Sequence, residues 1–333
     1  MKIIGVLIGF LGIAFAFSAC SNELDLTAPW KDVPIVYGML SPGDSAQYIR
    51  VEKAFIDPKK NALTFTGNPD SIYYQNADVS LVLVSTGQTF PLHRVDGNLE
   101  GYPRNPGIWA QAPNYLYKIK TSEIDFIPGQ EYQLVIHKGD GLPTTKATTK
   151  LIGKPEILQL KDGDAISING NISLVWATST GADLYDASFV FNYEENTENA
   201  PDTFTPKSIT WKAAVGLRPK NSNPQYKTKS FKGSNFMKYI KLKIPQNDHI
   251  KRHFLSMEVI ITAGGEEISR YYDVKAANQG ITGSEVLISY SNIPDGYGIF
   301  SSLSKDIVAD LHLTHKSLDS LKTGQYTGKL NFE

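Results

Sequence analysis

Short runs in which apolar and polar residues alternate, each closed by a turn sequence, recur along residues 33–152. Such alternation has the two-residue period of a β-strand with one buried face. The run at 78–84 ends at Thr86-Gly87-Gln88, a hairpin signal that leads into the run at 89–93. The whole pattern predicts about seven strands in about 120 residues, the number and spacing of an immunoglobulin-like or transthyretin-like β-sandwich. The predicted strands are 34–40, 47–55, 78–84, 89–93, 115–119, 131–137 and 144–151.

A second region of strands follows Gly153-Lys154-Pro155, a sequence typical of a linker because Pro155 cannot sit in a central strand. We expect residues 153–333 to form a second, antiparallel β-rich domain with one or two short helices. The helices are predicted at 267–279, ended by Gly280, and at 314–322. The strands are predicted at 173–177, 187–193, 208–214, 239–244, 255–262, 286–290 and 327–332.

Composition excludes several classes of protein. The chain has 333 residues, a formal net charge of −1 and 41% hydrophobic residues. This length fits about two domains, and the apolar fraction excludes general disorder. The near-zero charge gives no support for binding to nucleic acid. The single cysteine, Cys20, cannot form an internal disulfide or a zinc knuckle.

The N-terminus has the form of a secretory signal peptide. Lys2 precedes an unbroken apolar run, residues 3–17, which is shorter than the about 20 apolar residues that span a membrane. Residues 17–20 (FSAC) resemble the bacterial lipoprotein box, where a lipoprotein signal peptidase cuts before the cysteine, although Phe17 stands where leucine is usual. An ordinary signal peptide with a chance cysteine is the alternative.

The lipoprotein box implies that residues 1–19 are removed and that residues 20–32 form the lipidated Cys20 and its tether. Two or three acyl chains on that cysteine hold a protein to a membrane, whereas one chain binds only marginally. Glu23 and Asp25 resemble the export signal of surface lipoproteins in Bacteroidota, with a plain polar tether as the alternative. We therefore expect an outer-membrane lipoprotein of the cell envelope, on either the surface or the periplasmic face.

Two further motifs resemble known families. Residues 127–134 (IPGQEYQL) place a Pro-Gly turn before a Tyr-x-Leu strand, which resembles the carboxypeptidase-regulatory type of β-sandwich. Residues 257–261 (MEVII), 267–272 (EISRYY) and 290–300 (YSNIPDGYGIF), in this order, resemble an uncharacterised family of Bacteroidota lipoproteins with a domain of unknown function. That resemblance implies a transthyretin-like N-terminal sandwich and a second β-rich part, and it implies no established activity.

Four residues in the last segment are predicted to form a structural motif. Asn292 favours a side-chain turn, and Gly296 permits a positive φ. Gly298 has no Cβ, so that a neighbouring backbone can approach closely. We expect a turn that packs Tyr297 and Phe300 into the core, and a ligand-binding loop is the alternative.

Catalytic and metal-binding patterns are weak. Residues 302–305 (SLSK) and 322–324 (KTG) lie too close together for a penicillin-recognising enzyme. His249 and His253 are four residues apart, but the basic residues between them would repel a cation. We expect no enzyme, no cofactor and no metal site. A hydrolase that uses a carboxylate pair from distant strands is an alternative.

Aromatic residues are the better candidates for binding. Trp109 lies in the loop-like sequence 106–110 (PGIWA), and Tyr73 and Tyr74 lie near a Pro-bearing loop. Exposed Trp and Tyr side chains stack on sugar rings or anchor protein interfaces; alternatively, Trp109 closes one end of the first core. We expect a non-catalytic module that binds or assembles with an outer-membrane protein partner, and a glycan-binding surface lipoprotein is a second hypothesis.

Overall fold

The computed structural model describes residues 32–54, 63, 65–218, 225–278 and 289–333. The predicted signal peptide, Cys20 and nearly all of the tether lie outside the described residues, as do Gly280 and most of the strand predicted at 286–290. In the described ranges, no helix is both long enough and apolar enough to span a membrane. The predicted fold class is confirmed, because the structure is mostly β with few helices.

The N-terminal region contains the seven strands that the alternation predicts. They are β1 (Val33–Leu40), β2 (Ala46–Ala54), β3 (Asp78–Leu83), β4 (Gln88–Asp96), β5 (Tyr115–Lys120), β6 (Glu131–His137) and β7 (Thr145–Lys150), with a short helix α1 (Pro69–Ile72) and a 3₁₀ turn (Thr121–Glu123) between them.

A change of partner along β4 folds this sheet into a sandwich. The spatial order is β1-β2-β5-β4-β3-β6-β7. Residues 88–92 of β4 pair with β3, and residues 93–96 pair with β5. The inward side chains of both layers form one core, in which Ile49, Leu81 and Leu134 are fully buried. Burying such side chains contributes about 1.5–3 kcal/mol each.

The Pro-Gly turn before β6 has the predicted conformation. Gly129 has a φ of 86°, which glycine adopts without steric cost. Tyr132 then points into the core, where its hydroxyl accepts a hydrogen bond from the Ile127 amide (3.0 Å) and donates one to the Asp125 carbonyl (3.1 Å). The buried Tyr132 hydroxyl therefore has hydrogen-bond partners while the Tyr132 ring packs in the N-terminal core.

The described part of the chain after residue 152 contains further strands and three helices. The strands are β8 (Glu156–Ile157), β9 (Ala165–Ile166), β10 (Asn171–Ala177), β11 (Leu184–Thr197), β12 (Ala200–Leu217), β13 (Tyr226–Lys232), β14 (Arg252–Gly264) and β15 (Tyr297–Leu313). The helices are α2 (Gly233–Lys243), α3 (Glu266–Asn278) and α4 (His315–Thr323). Aromatic side chains fill the core between them, among them Trp176, Phe189, Phe191 and Phe236.

One strand, β15, belongs to the sheets of both regions. Its first part pairs with β1 in parallel, from Ile35↔Tyr297 to Leu40↔Ser302. Its second part pairs with β14 in antiparallel, and β11 and β12 continue that sheet. Phe300 accordingly packs in the N-terminal core, and Leu311 packs in the other. The division at residues 152/153 stays a prediction.

The two predicted helices are present, but two predicted strands are wrong. Residues 239–243 of the strand predicted at 239–244 lie in α2 instead. The Ile-Lys-Leu-Lys-Ile alternation suggested a strand, yet Leu242 is exposed, and Phe236, Ile240 and Ile244 are buried at helical spacing. Residues 327–332 form turns, and the backbone of Phe332 makes a single bridge to Arg252 at the start of β14.

A buried arginine holds the C-terminal tail. The Arg252 guanidinium is fully buried, pairs with Glu195 (Nε to Oε2, 2.8 Å) and donates to the Leu330 carbonyl (2.6 Å). Burial favours a higher pKa for Glu195, but hydrogen bonds and charges from Lys207 and Arg252 outweigh it and lower the pKa. Glu195 is therefore ionised at neutral pH and compensates the buried cation.

Candidate functional site

A groove lined by four tyrosines lies on the outer face of the sheet where β1, β15 and α3 meet. Its volume is about 380 Å³. We call it the tyrosine cleft, and its lining residues are Tyr37, Tyr271, Val274, Lys275, Ser289, Tyr290, Tyr297, Gly298 and Ile299.

Strand register places the floor and one wall of the cleft. In the parallel pair of β1 and β15, Tyr37 is the partner of Ile299, and Ile35 is the partner of Tyr297. Tyr37 is exposed while its neighbours Val36 and Gly38 are buried, so that the alternation along β1 turns its ring outward.

Helix α3 forms the opposite wall. The Glu267 carboxylate in its first turn accepts hydrogen bonds from the hydroxyls of Ser301 (2.7 Å) and Thr149 (2.9 Å). These contacts fix the start of α3 against β15 and β7. Tyr271 and Lys275, four residues apart on the helix, then line the cleft together.

The backbones of β1 and of the segment around Gly298 approach so closely at the floor of the cleft that glycine is required there. Gly298 has a φ of 116°, and a Cβ there would lie 1.8 Å from the Val36 carbonyl oxygen. A Cβ on Gly296 would lie 2.4 Å from the Pro34 carbonyl oxygen. Both glycines therefore serve the close contact with β1.

The Asn292 side chain continues the strand pairing beside this floor. Its amide group donates to the Phe300 carbonyl (2.7 Å), and its side-chain oxygen accepts from the Phe300 amide (2.9 Å). Phe300 is buried as expected, whereas Tyr297, also expected in the core, is exposed in the cleft. The 290–300 segment is thus a structural turn that also carries one wall of a groove.

The tyrosines of the cleft are unusually open. The exposed fractions are 53% for Tyr37, 40% for Tyr271 and 56% for Tyr297. In the part of the chain that the structure describes, their hydroxyls have no hydrogen-bond partner. Burial and the nearby Glu267 raise the pKa of Tyr290, so that this hydroxyl stays protonated. Clusters of exposed apolar rings commonly mark binding surfaces.

The three aromatic residues singled out from the sequence do not form one site. Trp109 is 43% exposed in a loop, so the alternative that it closes one end of the first core is wrong. Tyr73 and Tyr74 are buried, which corrects the expectation that they are exposed. The Tyr73 ring packs edge-on against Tyr115, with centroids 5.1 Å apart.

Tyr74 has a structural partner at the start of the described chain. Its hydroxyl donates to Asp32 (2.6 Å), which also pairs with the buried Lys138. Burial raises the pKa of Tyr74, and the hydrogen bond and charge of Asp32 raise it further. Tyr74 is therefore a buried donor that helps to hold the residue where the predicted tether ends.

Asp32 and Ser302, two polar residues beside clefts or in a catalytic-like motif, are engaged in structural contacts. A second cleft, of about 330 Å³, is lined by Asp32 and Asp295, but both Asp32 oxygens are occupied by Lys138 and Tyr74. The Ser302 hydroxyl accepts from the Ile152 amide (3.1 Å). Within the described ranges, no three His, Cys, Asp or Glu side chains are grouped so as to hold a metal ion.

Comparison with known proteins gives a family match and weak structural similarities. Residues 24–306 match the family model described as "Domain of unknown function (DUF4249)". No curated protein matches the chain.

Solved structures that resemble the chain do so at low identity. One is the C-terminal globular domain of an oligosaccharyltransferase from Pyrococcus abyssi (11% identity, 68% of this chain, 44% of that chain, TM-score 0.22). Another comprises the fibronectin(III)-like modules of CbhA from Clostridium thermocellum (10% identity, 86% of this chain, 95% of that chain, TM-score 0.21). A third is DIP-gamma IG1+IG2 (6% identity, 86% of this chain, 99% of that chain, TM-score 0.18). This chain spans less than half of the first, and none of the three informs function at such scores.

Proposed function

We propose that this chain, which belongs to the DUF4249 family of domains of unknown function, is a membrane-anchored, non-catalytic lipoprotein of the cell envelope. The open tyrosine cleft leads us to propose further that it binds a protein partner. The partner is an outer-membrane protein, so the chain acts as a binding or assembly module. The protein is also attached to membrane lipid through its anchor. It binds neither nucleic acid nor a cofactor.

The N-terminal sequence supports the anchor and the location. A basic residue, a 3–17 apolar run and Cys20 in a lipoprotein box together favour export and lipidation. The 257–261, 267–272 and 290–300 motifs favour a Bacteroidota envelope lipoprotein with a transthyretin-like first sandwich. The surface and the periplasmic face of the outer membrane both remain compatible with this proposal.

The observation that carries the proposed activity is the cleft itself. Three tyrosines, Tyr37, Tyr271 and Tyr297, expose both ring and hydroxyl around one groove. Tyrosine is enriched at protein interfaces because its ring supplies apolar area and its hydroxyl supplies a hydrogen bond. The serine and carboxylate groups described above make hydrogen bonds that stabilise the fold.

A crosslinking experiment tests this function. Replacing Tyr37 and Tyr297 together by alanine is expected to reduce recovery of a specific envelope protein by at least about tenfold, because a tyrosine at an interface hot spot contributes about 2 kcal/mol. The measurement is quantitative mass spectrometry of material pulled down from crosslinked envelopes under conditions that preserve the lipid.

Tyr226→Ala is the matched control, because Tyr226 is 48% exposed but lies on β13, away from the cleft. It should leave recovery unchanged. Recovery of no specific protein by the native chain, or equal recovery by the double variant, would count against the proposal.

Glycan binding is the second candidate function, and the exposure of Trp109 favours it. An indole that is 43% exposed in a loop offers a face for a sugar ring. If this function is correct, the protein binds a defined set of sugars on a glycan array and Trp109→Ala abolishes that binding. Array binding that survives the substitution would remove the basis of this candidate.

A further inference from the structure

We infer that the tyrosine cleft binds an extended, proline-rich peptide segment of the partner. This inference rests on the proposed function and specifies the chemistry of the ligand. It follows from the types of hydrogen-bonding group among the described residues of the cleft.

The side chains that line the described part of the cleft are rich in donors. Tyr37, Tyr271 and Tyr297 offer hydroxyls that have no hydrogen-bond partner among the described residues, and Lys275 offers an ammonium group that donates only. Lys275 is exposed and makes no ion pair with the described residues. Among the described lining residues there is no Asp, Glu, Asn or Gln, and therefore no carboxylate or carboxamide acceptor.

A proline-rich segment has the complementary set of groups. Proline has no backbone N–H, whereas every residue keeps its carbonyl, so such a segment presents acceptors almost alone. In the polyproline II conformation these carbonyls have no internal partners and point outward. Hydroxyl and ammonium donors on the cleft walls can therefore satisfy them.

The rings add shape complementarity. Proline-rich segments dock into grooves lined by aromatic residues, and their preformed conformation lowers the entropy lost on binding. The exposed Tyr37 lies across from Ile299 on the neighbouring strand, and Tyr297 lies two residues before Ile299 on β15. Packing of pyrrolidine rings against the faces of these tyrosines would bury the apolar surface that the fold leaves open.

A sugar fits the lining less well. Each sugar hydroxyl both donates and accepts, and its strongest protein acceptors are carboxylates, whereas the hydroxyls of the tyrosines and of Ser289 accept more weakly. The Glu267 carboxylate on α3 is engaged through Oε2, which accepts hydrogen bonds from Ser301 and Thr149. The hydrogen-bonding groups thus favour a peptide over a glycan.

The test uses the full, lipidated chain in detergent micelles and fluorescein-labelled decaproline as the probe. Fluorescence anisotropy is expected to show saturable binding, which a Gly-Ser peptide of equal length does not reproduce. The Tyr37→Ala/Tyr297→Ala variant should weaken binding by at least about tenfold. The matched control Tyr226→Ala should stay within about twofold of the native chain.

A second pair of variants separates binding from folding. Tyr37→Phe/Tyr297→Phe keeps the rings and removes two donors, and Lys275→Ala removes the cation at an exposed position. Each should weaken binding severalfold while the thermal melt followed by circular dichroism stays unchanged.

The inference is overturned if decaproline does not bind at up to about 1 mM, if the cleft variants bind it as the native chain does, or if maltohexaose or chitohexaose competes for the cleft. When decaproline fails but the same variants still lose the envelope protein, only the ligand class is wrong. When the variants keep the envelope protein, the proposed function fails as well.

Discussion

Cys20→Ser is expected to abolish labelling of the protein by palmitate and to move it from the membrane pellet to the alkaline-wash supernatant. A serine hydroxyl cannot form the thioether that carries diacylglycerol, and the chain has no second cysteine to replace it. Two or three acyl chains anchor a protein stably, at about 0.8 kcal/mol per buried CH₂. Fractionation in the native host with metabolic labelling measures both changes.

Phe17→Leu is the control for this prediction. It restores the residue that is usual in the lipoprotein box and should leave both labelling and fractionation as in the native protein. Palmitate label that persists in Cys20→Ser would show that the lipid is carried elsewhere, and the proposed anchor would then be wrong.

Gly298→Ala is expected to destabilise the fold by more than about 4 kcal/mol, an exceptional effect for a single methyl group. The new Cβ would lie 1.8 Å from the Val36 carbonyl oxygen, and the φ of 116° is one that side chains rarely adopt. Because β1 and β15 meet at this point, relief of the clash must separate the strand pair that joins the two regions. Urea unfolding followed by circular dichroism measures the loss.

Gly87→Ala separates the two causes. Gly87 also has a positive φ, 72°, but a Cβ there would have no atom within 4 Å. This variant should lose only about 1–2 kcal/mol, the ordinary cost of left-handed backbone for a residue with a side chain. Equal losses in the two variants would contradict the steric argument for Gly298.

The first sandwich could be predicted from the sequence because each strand is half-buried. Alternation is then visible in the chain, and turn residues such as Gly87 and Gly129 mark where the strands end. The helical stretch at 239–243 was misread for the same reason. Lysines on the exposed side of α2 alternate with apolar residues over a few positions and imitate a strand. Phe236, Met237 and Ile240 nevertheless show the helical spacing of three and four residues.

The cleft could not be predicted, because its walls come from residues far apart in the chain. Tyr37 and Tyr297 become neighbours only through the parallel pairing of β1 and β15. The outward position of Tyr37 in an alternating run was a usable signal. Tyr73 and Tyr74 gave a misleading one, because two adjacent tyrosines beside a loop suggest exposure. Tyr73 is instead packed against Tyr115, and Tyr74 is tied to Asp32.

Site-specific photocrosslinking from the cleft tests the central claim most directly. A benzoylphenylalanine at position 297, introduced into the lipidated protein in its native host, should form an adduct with one outer-membrane protein. The same residue at position 226 should not form that adduct. Absence of any protein adduct from position 297, or the same adduct from both positions, would contradict a partner-binding role for the tyrosine cleft.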